Sequence, residues 1–184
     1  MATATTLSQR QASNAVSHDP GVRTHVISVL VENRVGVLAR VAGLFTGRGF
    51  NIESLAVAET EEPSLSRMTI VTSGDARIIE QVTKQLNKLI DVIKVVDLSR
   101  ENFVERELIL VKVRAEPEQR AEILRITDIF RGNIIDVSSR SYVLEVTGDA
   151  DKIRAFIDLI KSTGILEIVR TGPVALSRGS RALS

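Results

Sequence analysis

Apolar residues recur along this chain in two rhythms: every second position over short runs, and every third or fourth over longer ones. Thr24–Val31 is rich in β-branched residues and bounded by Asn33 and Gly36, which predicts a strand. From Val35 to Arg48 the apolar residues fall at 35, 37, 38, 41, 42, 44 and 45. That is helical spacing, with Leu38, Val41 and Phe45 on one face. Gly47 and Gly49 end the helix, because glycine tolerates the left-handed cap conformation. Phe50–Glu59 alternates as a strand, Glu61-Glu62-Pro63-Ser64 is a turn, and Ser66–Thr72 is a further strand. Asp75 suits an N-cap, followed by a helical stripe of Ile78, Ile79, Val82, Leu86 and Leu89. Val92–Leu98 closes the unit, whose order is β-α-β-β-α-β, the ferredoxin-like arrangement.

The second half repeats this order. Glu107–Arg114 reads as a strand, Pro117 sits at a helix start, and Ile123, Leu124, Ile126, Ile129 and Phe130 follow at helical intervals until Gly132. Asn133–Val137 and Tyr142–Thr147 read as strands. Asp149–Lys161 carries the stripe Ile153, Phe156, Ile157, Ile160, and Ile165–Val169 is the last strand. Val71-Thr72-Ser73-Gly74-Asp75-Ala76 resembles Glu145-Val146-Thr147-Gly148-Asp149-Ala150, 74 positions further on. Leu44-Phe45 with Gly49-Phe50-Asn51-Ile52 likewise echoes Ile129-Phe130-Arg131-Gly132-Asn133-Ile134.

The fold class that follows is α+β: two ferredoxin-like βαββαβ domains, residues 24–99 and 106–172, joined near Ser99–Arg106. Residues 1–23 and 173–184 are expected as tails. The alternative is one continuous α+β domain in which the similarity is accidental. A four-stranded sheet with both helices on one side has a bare opposite face, and nothing else in the chain is expected to cover it. Bare sheet faces and edges are buried by association, so a homodimer is expected.

Composition narrows the function. Of 184 residues 43% are apolar but only 3% aromatic, so the cores must be aliphatic. A net charge of +1 gives no bulk attraction to nucleic acid or acidic membranes. With no cysteine, disulfides, thiol catalysis and thiolate metal sites are excluded. No apolar run reaches the roughly 18–20 residues that span a bilayer. The first 23 residues are rich in Ala, Ser, Thr and Gln and show no period, as a flexible tail would. Arg10 and Arg23 with little acid also suit an organelle transit peptide, but an amphipathic Arg pattern is lacking.

Candidate chemistry is sparse. His18 and His25 are the two histidines, one in the tail and one opening a strand, which is poor material for a catalytic triad. No His/Cys cluster has metal-ligand spacing, and Glu59-Thr60-Glu61-Glu62 lacks the glycine and spacing of a calcium loop. Gly43, Gly47 and Gly49 end a helix rather than open one, so they form no phosphate loop. RNA binding on a ferredoxin-like sheet needs stacking aromatics, and Ser66–Thr72 has none.

The turn between the first strand and helix is different. Helix starts leave amide N–H groups free, and the helix dipole favours an anion there by about 0.3–1 kcal/mol. Gly36 lets a ligand approach the backbone, Asn33 is expected to cap the helix with its amide oxygen, and Asn51 could orient an α-amino group. Val35, Val37, Leu38 and Ile52 could contact a branched apolar side chain. An ordinary capped turn with a structural glycine explains the local pattern equally well.

The segments VLVENRVGVLARVAGLFTGRGFNIESLAV, LSRMTIV, KQLNKLIDVIKV, VERELILVKV, IFRGNIIDVS and GPVALSRG, in that order from Thr24 to Gly179, resemble the small regulatory subunits of acetolactate synthase (acetohydroxyacid synthase). The resemblance implies an N-terminal ACT domain, a C-terminal ACT-like domain, and a homodimer in which two ACT domains pair side by side. It also implies that valine or a related branched-chain amino acid binds between them. The effector-binding positions then fall on Asn33, Gly36, Val37, Leu38, Asn51 and Ile52. Arg34-Val35 stands before Gly36, where many relatives carry a shorter or acidic residue and then Pro or Ser. The resemblance further implies no active site and no cofactor in this chain. Its partner would be a large catalytic subunit holding thiamine diphosphate, Mg2+ and FAD, in a cytoplasmic enzyme of branched-chain amino-acid synthesis. A free-standing ACT-domain sensor acting on another protein is the alternative.

Overall fold

A computed structural model describes residues 23–180 and 182–183. The expected N-terminal tail therefore lies, apart from Arg23, outside the described residues. The first unit runs β1 (Arg23–Glu32), α1 (Val37–Thr46), β2 (Ser54–Glu59), β3 (Leu65–Gly74), α2 (Ala76–Leu86) and β4 (Val92–Asp97). Its strands are antiparallel in the order β2-β3-β1-β4. Alternation sends Ile27, Val29 and Val31 of β1 and Met68 and Ile70 of β3 to one face. There they meet Val37, Val41 and Phe45 of α1 and Val82 and Leu86 of α2 in one buried cluster. The expected strand from Phe50 begins only at Ser54, because residues 50–53 carry the chain from the helix layer down to the sheet.

The second unit repeats the first: β5 (Phe103–Arg114), α3 (Arg120–Ile129), β6 (Asn133–Val137), β7 (Ser141–Gly148), α4 (Ala150–Ile160) and β8 (Ile165–Arg170), with strand order β6-β7-β5-β8. Ile109, Val111, Val113, Leu144 and Val146 pack beneath Ile123, Ile126, Ile153, Phe156 and Ile160. The internal repeat has a local physical basis. Asp75 Oδ1 accepts from the Ile78 amide at 2.7 Å, and Asp149 Oδ1 from the Lys152 amide at 2.9 Å. Each aspartate caps the second helix of its unit from an extended backbone.

Between the units there is no open linker. Asp97 Oδ1 caps a 3-10 turn, Leu98–Arg100, and the next strand begins at Phe103. The pattern predicts no strand beyond residue 169, yet β9 (Val174–Ser177) follows and pairs antiparallel with Phe103–Arg106 at the head of β5. This ribbon corrects the expectation of a bare face. Val26 and Val71, on the far side of the first sheet, are buried in a cluster with Leu98 of the turn and Ala175 of β9, flanked by Val96 and Phe103. The sequence signal was weak because a strand of four residues with one buried side chain has almost no periodicity to read.

The crossing from β8 to β9 is fastened tightly. Arg170 makes a bidentate pair with buried Glu107, at 2.7 and 2.8 Å. Hydrogen bonding to that carboxylate holds the Arg170 guanidinium above its usual range, against a smaller opposing effect of burial. The Thr171 amide donates to the Leu108 carbonyl at 3.1 Å, and the Leu108 amide donates to Thr171 Oγ1 at 3.2 Å.

Candidate functional site

The turn after β1 is built by backbone geometry. Gly36 is the N-cap of α1 at φ +86°, a conformation that favours glycine, and no side chain caps the helix. This corrects the role expected for Asn33. Its amide nitrogen instead donates to Glu59 Oε1 at 3.0 Å and to the Pro63 carbonyl at 2.9 Å, and its backbone amide donates to the Ser64 carbonyl at 2.7 Å. Asn33 thus ties the turn to the hairpin between β2 and β3. The Val37 amide reaches the Arg34 carbonyl at 3.3 Å and the Arg40 amide reaches that of Gly36 at 3.0 Å. The Leu38 and Ala39 amides, between them, take no acceptor among the described residues. Those are the orphan donors that an uncapped helix start displays.

Arg40 adds a charge that the sequence pattern did not single out. Its Nε and Nη2 both lie 2.8 Å from Asp91 Oδ2, and a Cβ built on Gly36 would stand 3.2 Å from its Nη1. The signal lay in spacing: Arg40 is one helical turn after Gly36, so its side chain leans back toward the helix start. Leu38 is exposed and Val35 fully so, whereas Val37 is buried in the core and offers only its backbone to the turn.

Asn51 and Ile52 lie elsewhere. α1 runs from the Gly36 end of the sheet to the other end, and they sit in the loop that follows it. Thr72 Oγ1 donates to the Asn51 carbonyl at 2.6 Å, at the end where Ser54 pairs with Val71. Glu59, beside Asn33, is at the opposite end of β2. One chain therefore separates Asn33, Gly36 and Leu38 from Asn51 and Ile52 by the length of β2, roughly 17 Å at the usual strand rise. Because β2 is an edge strand, a second copy paired to it antiparallel would set the Asn51 loop of one protomer beside the Gly36 turn of the other.

The first helix of the second unit also starts without a side-chain cap, but its N-cap is Gln119 in helical backbone rather than a left-handed glycine. Glu116, Glu118 and Glu122 surround the start of α3, which disfavours an anion. Asn133, the counterpart of Asn51, spends its side-chain amide on Glu145 at 3.1 Å. Asn51 is exposed, and its side chain has no partner among the described residues. His25 Nδ1 lies 3.3 Å from Asp97 Oδ2, and no serine hydroxyl is bonded to it among the described residues. Among those residues no group of three or more His, Cys, Asp or Glu is placed to hold a metal ion. No described helix is long and apolar enough to cross a membrane.

Two tandem βαββαβ units, the first with an uncapped helix start, are the architecture expected of the ACT class of domain. Residues 27–94 match the model for the AHAS small subunit-like ACT domain, and residues 106–179 match that for the small subunit of acetolactate synthase. The chain is 59% identical over 161 residues to the probable acetolactate synthase small subunit of Methanothermobacter thermautotrophicus, covering 87% of this chain and 96% of that one. It is 54% identical over 157 residues to the acetolactate synthase small subunit of Haemophilus influenzae, covering 85% and 96%. The crystal structure of the acetolactate synthase small subunit from Thermotoga maritima superposes with a TM-score of 0.79 at 48% identity, over 86% of this chain and 99% of that one. The chain belongs to the acetolactate synthase small-subunit family.

Proposed function

We propose that this chain is the regulatory subunit of an acetolactate synthase. It binds a large catalytic subunit, raises its activity, and makes it sensitive to feedback inhibition by valine or a related branched-chain amino acid. Two copies pair through their β2 edges, and each of two equivalent sites takes Asn33, Gly36, Leu38 and the Val37 backbone from one protomer and Asn51 and Ile52 from its partner. The effector carboxylate meets the Leu38 and Ala39 amides near Arg40, Asn51 receives the α-amino group, and Leu38 and Ile52 face the branched side chain. Thiamine diphosphate, Mg2+ and FAD belong to the cytoplasmic catalytic partner.

The observation that carries this reading is the division of the candidate residues between the two ends of one unpaired edge strand. Neither end alone encloses an amino acid, while antiparallel pairing unites them. Inhibition then requires that the effector bind one arrangement of the protomers more tightly than another.

The test combines calorimetry with reconstitution. Wild-type protein is expected to bind valine saturably, and Asn51→Ala to lose that binding at unchanged thermal stability, since no described residue depends on the Asn51 side chain. Added to the large subunit, wild type is expected to raise the rate and make it fall with valine. Unaltered valine binding by Asn51→Ala would refute the site assignment. Valine binding without any effect on the large subunit would favour a free-standing sensor.

A further inference from the structure

The segment that carries Asn51 and Ile52 is held from two directions. On one side its own sheet grips it: the Glu53 amide donates to the Val71 carbonyl at 2.9 Å, Thr72 Oγ1 donates to the Asn51 carbonyl, and Ser73 Oγ bonds to Glu53. On the other side stands Gly172, in the crossing from β8 to β9. Gly172 is buried at φ +73°, and a Cβ built on it would overlap Ser54 Oγ and stand 3.4 Å from Ser54 Cβ. A methyl here would have to swing Ser54 Oγ aside or part the two segments, and the positive φ adds strain of its own. Gly172 follows directly on Thr171 and Arg170, whose bonds run to Leu108 and Glu107 in the central strand of the second sheet.

We propose that Gly172 is a positioning residue for the effector site: it seats the C-terminal domain against Ser54 and thereby fixes the 51–54 segment. The candidate site is then coupled to the central strand β5 through Gly172, Thr171, Arg170 and Glu107. Coupling carried by such a contiguous packed chain is reciprocal: what orders the 51–54 segment also orders the crossing at 171–173. The inference about the effector rests on the regulatory reading above, but the coupling of the two segments does not.

The test is a double-mutant cycle on the full-length protein. Gly172→Ala adds the overlapping methyl, and Ser54→Ala removes the atom it overlaps. Backbone strain at residue 172 is common to the single and double variants, so the difference between them isolates the contact. Without ligand, Gly172→Ala is expected to speed amide exchange over residues 51–56 by about tenfold, while β6 and β7 keep wild-type rates. Gly172→Ala/Ser54→Ala is expected to bring residues 51–56 back toward the rate of Ser54→Ala, short of it only by the backbone strain that both Gly172→Ala variants share. In the reconstituted enzyme the valine concentration for half-inhibition should follow the same order, raised in the single variant and restored in the double.

If Gly172→Ala proves unfolded, Ser54→Val applies the same crowding from a strand position that favours β-branched residues, and it should speed exchange over 171–177. The proposal is overturned if exchange over 51–56 is unchanged in Gly172→Ala, if the double variant shows no rescue, or if Ser54→Val leaves 171–177 unchanged. Should wild type fail to bind valine, the effector reading falls, and ligand-free exchange still decides the coupling.

Discussion

At the scale of single residues, the first turn separates what its amino acids make visible from what only their surroundings decide. Gly36 was legible, because a glycine between a β-rich run and a helical stripe marks a backbone that needs unusual freedom. Asn33 was legible as important but not in its role. Its capping propensity is local, whereas its actual partners, Glu59 and Pro63, are brought near by folding. Val37 had the right chemistry for a ligand contact, but the helix phase turns it into the core. The conformation of Gly36 gives a direct expectation. Gly36→Ala should destabilise the protein by about 1–2 kcal/mol, the usual cost of an L-residue in the left-handed region. Urea denaturation measures it. The methyl adds little beyond strain, since its nearest neighbour at 3.2 Å is the far end of the flexible Arg40 side chain.

At the scale of elements, eight strands and four helices follow patterns strong enough to read: the helices and central strands present long apolar faces to a core, and the edge strands β2 and β6, barely buried themselves, are bracketed by turn residues and by the repeat. Their ends moved by a few residues where caps or sheet geometry intervened, as at Leu89, which lies past the end of α2, and at Phe50. The ninth strand is not legible for the opposite reason. It is short, and its value lies in where it lands. Ala175 of β9 is buried among Val26, Val71 and Leu98. Ala175→Lys would push a charge into that layer, where it either stays desolvated or pries the ribbon away. A loss of about 2–4 kcal/mol is expected, within the range of severe core substitutions. A rise in binding of a hydrophobic dye, with far-ultraviolet dichroism retained, would show that the ribbon had lifted while both sheets remained.

At the scale of the whole molecule, the edges matter more than the faces. The chain covers the far face of its first sheet itself, so that face does not drive self-association. What favours pairing is the unpaired β2 edge and the division of the candidate site across it. The second sheet does present Leu108, Leu110 and Val143 half-buried, and Val169 exposed, on its far side. Sedimentation of the isolated protein should therefore give the mass of a dimer. Introducing Pro at Val57, in the middle of β2, should give a monomer that no longer binds valine, because proline takes an amide out of an edge strand. A Val57→Pro dimer with intact valine binding would place the pairing elsewhere. Side-by-side pairing is implied by the resemblance, but the separation of Asn33 and Gly36 from Asn51 and Ile52 is not legible along the chain, since residues 36 and 51 are close in sequence and distant in one protomer.

The shared strand β5 bears on how this protein is made. Its head pairs with the last strand of the chain and the rest with the second sheet, in one unbroken run of 12 residues. As the polypeptide leaves the ribosome, the first sheet can form early with Leu98 against Val26 and Val71, but that cluster stays incomplete until Ala175 has been synthesised. A nascent first unit thus keeps part of an apolar surface uncovered while the second is being translated. Messages truncated within the second half would yield products that chaperones retain rather than release.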